Sequence, residues 1–150
     1  MIMIEAIIQI VAAFFGSVGF AVFFRMKGRQ ILAAGIGGAL TWTVFLIFEA
    51  NGGGQFVSNI MAAIFAGIYA EIMARANKAP ATIFLTTSAV PLVPGGRLYY
   101  AMAGLVNEDK EAFIQNGEAV VTIALAVSLG FVIVALGNKY INILRQNKSR

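Results

Sequence analysis

Residues 86–102 read TTSAVPLVPGGRLYYAM and interrupt a long apolar run of the sequence. Pro91 and Pro94 each lack a backbone N–H and clash with the preceding helical turn, and the two glycines that follow open backbone angles closed to other residues. At membrane depth, non-helical backbone persists only inside protein or along a water-lined cavity. The stretch therefore predicts a discontinuous helix with a binding site beside it.

The composition around this stretch is that of an integral membrane protein. Of 150 residues, 59% are hydrophobic and 12% charged, whereas about a quarter of a soluble domain is charged. We therefore predict one all-α membrane domain covering residues 1–150. The chain contains no cysteine and no histidine, which removes most catalytic groups and soft-metal ligands. We expect no enzyme activity, no metal site and no cofactor.

Five apolar segments are long enough to cross a bilayer, which takes about 20 residues each. They cover residues of about 4–24, 31–50, 56–74, 80–106 and 119–136. The fourth contains the Pro-Gly break, and the polar link after it, at 107–117, can form a short interfacial helix. The first segment has no signal-peptide pattern, so we expect it to be retained.

Basic residues predict the orientation of these segments. Nine of the eleven Lys and Arg residues lie in three places: three after the first segment, two after the third and four in the C-terminal tail. Because basic links stay on the cytoplasmic side, the N-terminus is predicted outside and the C-terminus inside. A hairpin at the break would place the basic tail outside, so charge favours a crossing helix. We assign the net charge of +4 to this orientation, and expect no nucleic-acid partner.

The break predicts a site for a small carboxylate. Its second half begins with free N–H groups that attract anions, and Arg97 adds a fork that fits a carboxylate. Hydroxyl groups precede the break, where they suit an ammonium or hydroxyl on the same ligand. The predicted substrate-binding residues are Thr86, Thr87, Pro91, Pro94, Gly95, Gly96, Arg97 and Tyr99. The alternative is a proline kink that only bends the helix.

Four residues keep two interpretations each. Arg97 either faces an interior anion or extends its side chain to the outer surface. Tyr99 and Tyr100 either line a cavity or belong to the aromatic belt of the membrane surface. Glu71 either pairs with Arg75 four residues later or faces the interior as a proton-coupling carboxylate.

Small residues recur at four-residue spacing in several segments, including Ala34/Gly38, Ala63/Gly67 and Ala126/Gly130. Such spacing lets membrane helices approach closely, so it predicts packing faces, a tight bundle and an oligomer. The chain shows no internal repeat, although many transporters are built from repeated halves around a central site. A second half is therefore expected to come from another chain.

The residues VPLVPGGRLYYAM, at 90–102, resemble the threonine/serine exporter family, in particular its five-helix C-terminal-half type. That family has a Pro-x-x-Pro-Gly element in its fourth helix, followed by an aromatic residue. Pro91, Pro94, Gly95 and Tyr99 occupy those places, and the segment order and length also match. Thr86, Thr87, Arg97 and Glu71 do not belong to the resemblance; they rest on the physical arguments above.

The resemblance implies export of threonine, serine or related small carboxylates across the bacterial inner membrane. It also implies a companion membrane subunit that carries its own helices and a soluble extension. Coupling to the proton gradient is expected. Two other functions remain open from the sequence: a scaffold that assembles a partner in the lipid bilayer, and a passive channel narrowed at the Pro-Gly element.

Overall fold

A computed structural model describes residues 2–148, and these form six α-helices and no strand. The helices are α1 (Ile2–Phe23), α2 (Arg29–Ala50), α3 (Gly54–Asn77), α4 (Ala81–Ala89), α5 (Gly95–Val106) and α6 (Lys110–Lys148), with a 3-10 turn at Val90–Leu92 between α4 and α5. Four of them, α1, α2, α3 and α6, are long and apolar enough to cross a membrane. The all-helical, multi-pass class is confirmed, and the fifth crossing stays a prediction.

Short links with special backbone angles join the first three helices. The link after α2 turns at Gly52, whose φ of 80° suits glycine. Just before it, the Asn51 side chain donates to the carbonyl of Ile47 at 2.7 Å and satisfies the end of α2. The helix α3 ends at Asn77, and the next residue, Lys78, has a left-handed φ of 50°. Links this short make successive helices antiparallel neighbours, and the predicted bounds of the first three segments agree within three residues.

The helices α3 and α6 pack through small residues, as the spacing predicts. A methyl group placed on Gly130 would lie 2.6 Å from Cβ of Ala63, and one on Gly67 would lie 3.0 Å from the Val134 side chain. Because both residue numbers increase together along this contact, the two helices run parallel. Backbones this close leave no room for larger side chains.

The chain after α3 returns antiparallel to it. Phe84 of α4 belongs to a buried cluster with Ala70, in the second half of α3. Leu92, in the 3-10 turn, belongs to a second buried cluster with Ala62, in the first half of α3. Arg97 then lies at a cavity lined also by the first two turns of α3. The chain thus keeps its direction through the break, and the predicted discontinuous helix is confirmed.

The last helix begins earlier than predicted. The sequence placed its start near residue 119, after a separate polar link, but α6 begins at Lys110 and absorbs that link. Asp109 explains the difference, because its carboxylate accepts the N–H of Ala112 at 3.0 Å and caps the new helix. Gly117 lies inside the helix without ending it.

The helices α5 and α6 form an antiparallel pair, which we call the outer hairpin (95–118). A methyl group on Gly104 would lie 2.7 Å from the backbone nitrogen of Phe113, so the two helices touch closely there. Since Gly130 lies beside Ala63, a rise of ~1.5 Å per residue carries the start of α6 ~16 Å beyond the start of α3. The outer hairpin therefore projects past the end of α3.

Candidate functional site

A cavity of about 330 Å³ opens beside the helix break, within the size range of about 300–1,000 Å³ for small-ligand sites. Residues 91–97 form one wall. The remaining lining side chains, from α2, α3, α5 and α6, are Trp42, Phe45, Gln55, Asn59, Tyr100 and Ile123. The cavity is thus built where four elements meet the interrupted backbone.

The interrupted backbone exposes the start of α5 to this cavity. Val93 is extended, with φ −67° and ψ 122°, and Pro94 precedes the helix without offering a side-chain cap. The first regular bond of α5 joins the N–H of Leu98 to the carbonyl of Pro94 at 2.9 Å. The earlier N–H groups, at Gly96 and Arg97, are the ones a helix start leaves without partners in the helix. An anion in the cavity would meet them.

Arg97 adds a full positive charge at the same edge. Its Nη1 donates to Oδ1 of Asn116 in α6 at 3.3 Å. Within residues 2–148, no carboxylate forms an ion pair with Arg97. A guanidinium carries five N–H donors in a planar fork that matches a carboxylate. The described residues therefore leave a cation beside the cavity without a counter-charge.

Two amide side chains from α3, Gln55 and Asn59, line the same cavity as Arg97. Asn59 is only 3% exposed, and its Nδ2 donates to the carbonyl of Gln55 at 2.7 Å. That bond directs the amide oxygen of Asn59 away from its own helix. The sequence signal for this residue was a single Asn in an apolar segment, which fitted a packing role equally well.

Trp42 forms the aromatic wall of the cavity. Its ring stacks on Phe45 with centroids 4.6 Å apart, and its Nε1 donates to Oε1 of Gln9 in α1 at 3.1 Å. Both contacts fix the indole ring in one orientation. The signal in the sequence was the depth of Trp42, midway along an apolar segment rather than at its end.

Three of the eight predicted binding residues lie away from the cavity. The hydroxyls of Thr86 and Thr87 donate to the carbonyls of Thr82 and Ile83, at 2.8 and 2.9 Å, within their own helix. Tyr99 is 69% exposed, on the far side of α5. The other five, Pro91, Pro94, Gly95, Gly96 and Arg97, line the cavity. A role for the three outlying residues in binding stays a prediction.

Glu71 lies near the opposite end of α3. Its carboxylate pairs with Arg75 at 3.6 Å, which is the local pair expected from their spacing. Glu71 also borders a second groove of about 150 Å³ together with Thr82 and Asn138, between α3, α4 and α6. This groove does not include the break, so a coupling role for Glu71 stays a prediction.

Long apolar helices packed around a broken helix, with a cavity at the break that polar side chains line in part, are features of a multi-pass membrane transporter. A comparison with protein families supports this class. The family model described as threonine/serine exporter, ThrE, matches residues 9–136. That range covers most of the chain, so the chain belongs to the threonine/serine exporter family, as the residues at the break indicated. No curated protein and no solved structure matches the chain significantly.

Proposed function

We propose that this chain is a subunit of a secondary transporter that exports threonine, serine or a related small carboxylate across the bacterial inner membrane. The observation that carries the proposal is the cation at the cavity. Arg97 stands without a carboxylate partner among the described residues, beside an uncapped helix start. A substrate carboxylate supplies the missing negative charge.

The cavity offers partners for both ends of such a substrate. The carboxylate would bind Arg97 and the first N–H groups of α5. The ammonium or hydroxyl would reach the amide oxygen of Asn59, which borders the same cavity. Trp42 and Phe45 would contact the short aliphatic part. This arrangement selects small substrates with one carboxylate and one nearby donor.

The topology proposed for this function has five crossings, with the N-terminus outside and the C-terminus in the cytoplasm. It is supported by the basic links and by the course of the chain, which keeps its direction from α4 through the break into α5. In this topology the cavity opens toward the outer side, and the groove at Glu71 opens toward the cytoplasm. Proton coupling belongs to the same proposal, with Glu71 as the candidate carboxylate.

A companion membrane subunit is proposed to complete the site and to form an oligomer with this chain. Support comes from α5, which among the described residues packs closely against α6 alone. Its remaining apolar side chains are exposed, among them Leu98, Met102 and Leu105. A second subunit would cover this side of α5 and enclose the cavity, whereas lipid would leave the polar edge of the cavity in contact with acyl chains.

Efflux from threonine-loaded cells tests the proposal, with this chain expressed alone and with its companion. Arg97→Ala and Gly95→Leu should abolish efflux without lowering the amount of membrane protein. A methyl group on Gly95 meets nothing within 4 Å, so the backbone leaves room for a side chain to start there, and leucine should fill the rim of the cavity. Gly19→Leu, at another glycine with open space, is the matched control and should transport normally.

The same assay separates the alternatives. Unchanged efflux by Gly95→Leu would overturn the placement of the site. No efflux of any small carboxylate by either form would favour a scaffold. Efflux that only follows the threonine gradient would indicate a passive channel. If uphill efflux persists after the proton gradient is collapsed, the proton coupling is wrong.

A further inference from the structure

We infer that Asn116 is a positioning residue for Arg97, the cation that binds the substrate. Asn116 holds the guanidinium in place with a neutral acceptor, so that the full positive charge stays available to a ligand carboxylate. This inference rests on the proposed function and deepens it, because it names what makes the cavity selective for an anion. Asn116 lies on α6, outside the stretch that carries the family resemblance.

The Asn116 side chain has one orientation. It is 9% exposed, and its Nδ2 donates to the carbonyl of Ala112, one turn earlier in α6, at 2.8 Å. With the nitrogen occupied by its own helix, the amide oxygen points outward to Arg97. The 3.3 Å contact between that oxygen and Nη1 of Arg97 therefore ties α5 to α6.

A neutral acceptor does something here that a carboxylate cannot. An aspartate at the same position would form a charge-assisted pair with the guanidinium and cancel much of its field. An amide oxygen accepts one of the five N–H groups and leaves the net charge of Arg97 unchanged. The acidic residues nearest to Asn116 in α6, Glu111 and Glu118, are exposed, and neither pairs with Arg97 among the described residues.

If Asn116 preserves the charge of Arg97, the conservative substitution of Asn116 should be the more damaging of two. Asn116→Asp is nearly isosteric. It keeps the link from α6 to Arg97 and neutralises that charge, but it loses the bond from Nδ2 to the carbonyl of Ala112. Asn116→Ala removes the link but leaves the charge. If Asn116 were only a structural tie, aspartate would be the milder change. If it preserves the charge, aspartate is the more damaging change for the substrate.

The experiment measures threonine efflux in cells that carry the chain in the form, alone or with its companion, that supports transport. We expect Asn116→Asp to raise the half-saturating threonine concentration by about 10-fold or more, and Asn116→Ala to raise it less. The matched control is Asn51→Asp. Asn51 also donates from Nδ2 to a carbonyl one turn earlier, at 2.7 Å, but lies off the cavity, so its variant should behave as the wild type.

A thermal-shift measurement on the purified protein gives a readout independent of transport. L-threonine should stabilise the wild type and the Asn51→Asp variant, whereas L-threoninol, which lacks the carboxylate, should not. Asn116→Asp loses the Nδ2 bond to Ala112, just as Asn51→Asp loses its bond to Ile47, and it should in addition lose the stabilisation by threonine.

The outcomes distinguish a wrong role for Asn116 from a wrong proposed function. Wild-type efflux with an unchanged threonine response in Asn116→Asp, or a larger loss in Asn116→Ala, overturns the role of Asn116 alone. A wild type that neither exports nor is stabilised by threonine and other small carboxylates overturns the proposed function, and the role of Asn116 with it.

Discussion

The two halves of the broken helix differ in how much protein surrounds them. In α4, Phe84, Thr87 and Ser88 are fully buried, and the helix packs against α1, α2 and α3. In α5, Tyr99 and Val106 are 69% and 78% exposed, and α6 is its one close neighbour within residues 2–148. The first half is thus held by the chain's own bundle, while the second half is held on one side only. The cavity lies at the border between them.

This difference assigns separate tasks to the halves. The buried α4 fixes the position of the break relative to α3. The exposed α5 carries Arg97, and in the proposed function its uncovered side is the surface for the companion subunit. A site built on such a border is rigid on one side and adjustable on the other, which a transporter needs in order to bind and then release its substrate.

The largest effect is expected for Phe84→Ala. Removing a fully buried aromatic side chain typically costs about 3–5 kcal/mol, so the variant should show a strongly lowered unfolding temperature and reduced protein in the membrane. Leu105→Ala in α5, where the side chain is 56% exposed, should change the free energy of unfolding by less than about 0.5 kcal/mol. Equal losses of stability in the two variants would show that α4 is not held more firmly by the bundle than α5.

Gly104→Val should detach α5 from α6. A methyl group there would meet the backbone nitrogen of Phe113 at 2.7 Å and the carbonyl of Asp109 at 3.0 Å. Such overpacking costs about 1–3 kcal/mol. It should raise the rate at which a glutamate-specific protease cuts at Glu108, which is exposed in the link between the two helices. Gly96→Ala, whose added methyl meets nothing within 4 Å, should leave the rate of cleavage unchanged.

Single cysteines can map the uncovered side of α5, because the natural chain contains none. We expect a maleimide to label Met102→Cys readily in the chain alone, and several-fold more slowly when the companion subunit is present. Thr87→Cys, at a fully buried position in α4, should resist the reagent in both cases. Labelling of Met102→Cys that is indifferent to the companion would place the partner surface elsewhere.

The smallest effect on stability is expected for Glu71→Gln. The pair with Arg75 is exposed and lies within one helix turn, where such pairs contribute about 0.5 kcal/mol or less. Thermal unfolding should therefore hardly change. Uphill efflux should be lost if Glu71 couples transport to protons, and preserved uphill efflux would leave the local pair as its whole role.

The break was predictable because Pro91, Pro94 and the two glycines act through the backbone alone, whatever their neighbours. The faces of the flanking helices were not predictable. In a membrane both the lipid side and the packed side are apolar, so periodicity does not separate them. Thr86 and Thr87 are alike in sequence, and both satisfy their hydroxyls within α4.

On α5, too, periodicity did not separate two neighbouring tyrosines. Tyr100 lies one turn after Gly96 and Arg97 and therefore shares the side that lines the cavity, whereas Tyr99 points elsewhere. Asn116 was not predicted for another reason. The sequence indicates a polar link at its position, and the cap that makes this segment helical depends on the single side chain of Asp109.

The length of the outer hairpin has a mechanical consequence. The α5 helix is ~18 Å long. It joins α4 through the 3-10 turn at Val90–Leu92 and the extended Val93, which interrupt the α-helical hydrogen bonds. A rotation of about 10° at that turn would swing the far end of α5 by ~3 Å, and the start of α6 would follow it. On this geometry, a small rotation at the break would be magnified at the tip of the outer hairpin. A spectroscopic label at Glu108 would therefore test most sensitively whether the break moves when threonine is added.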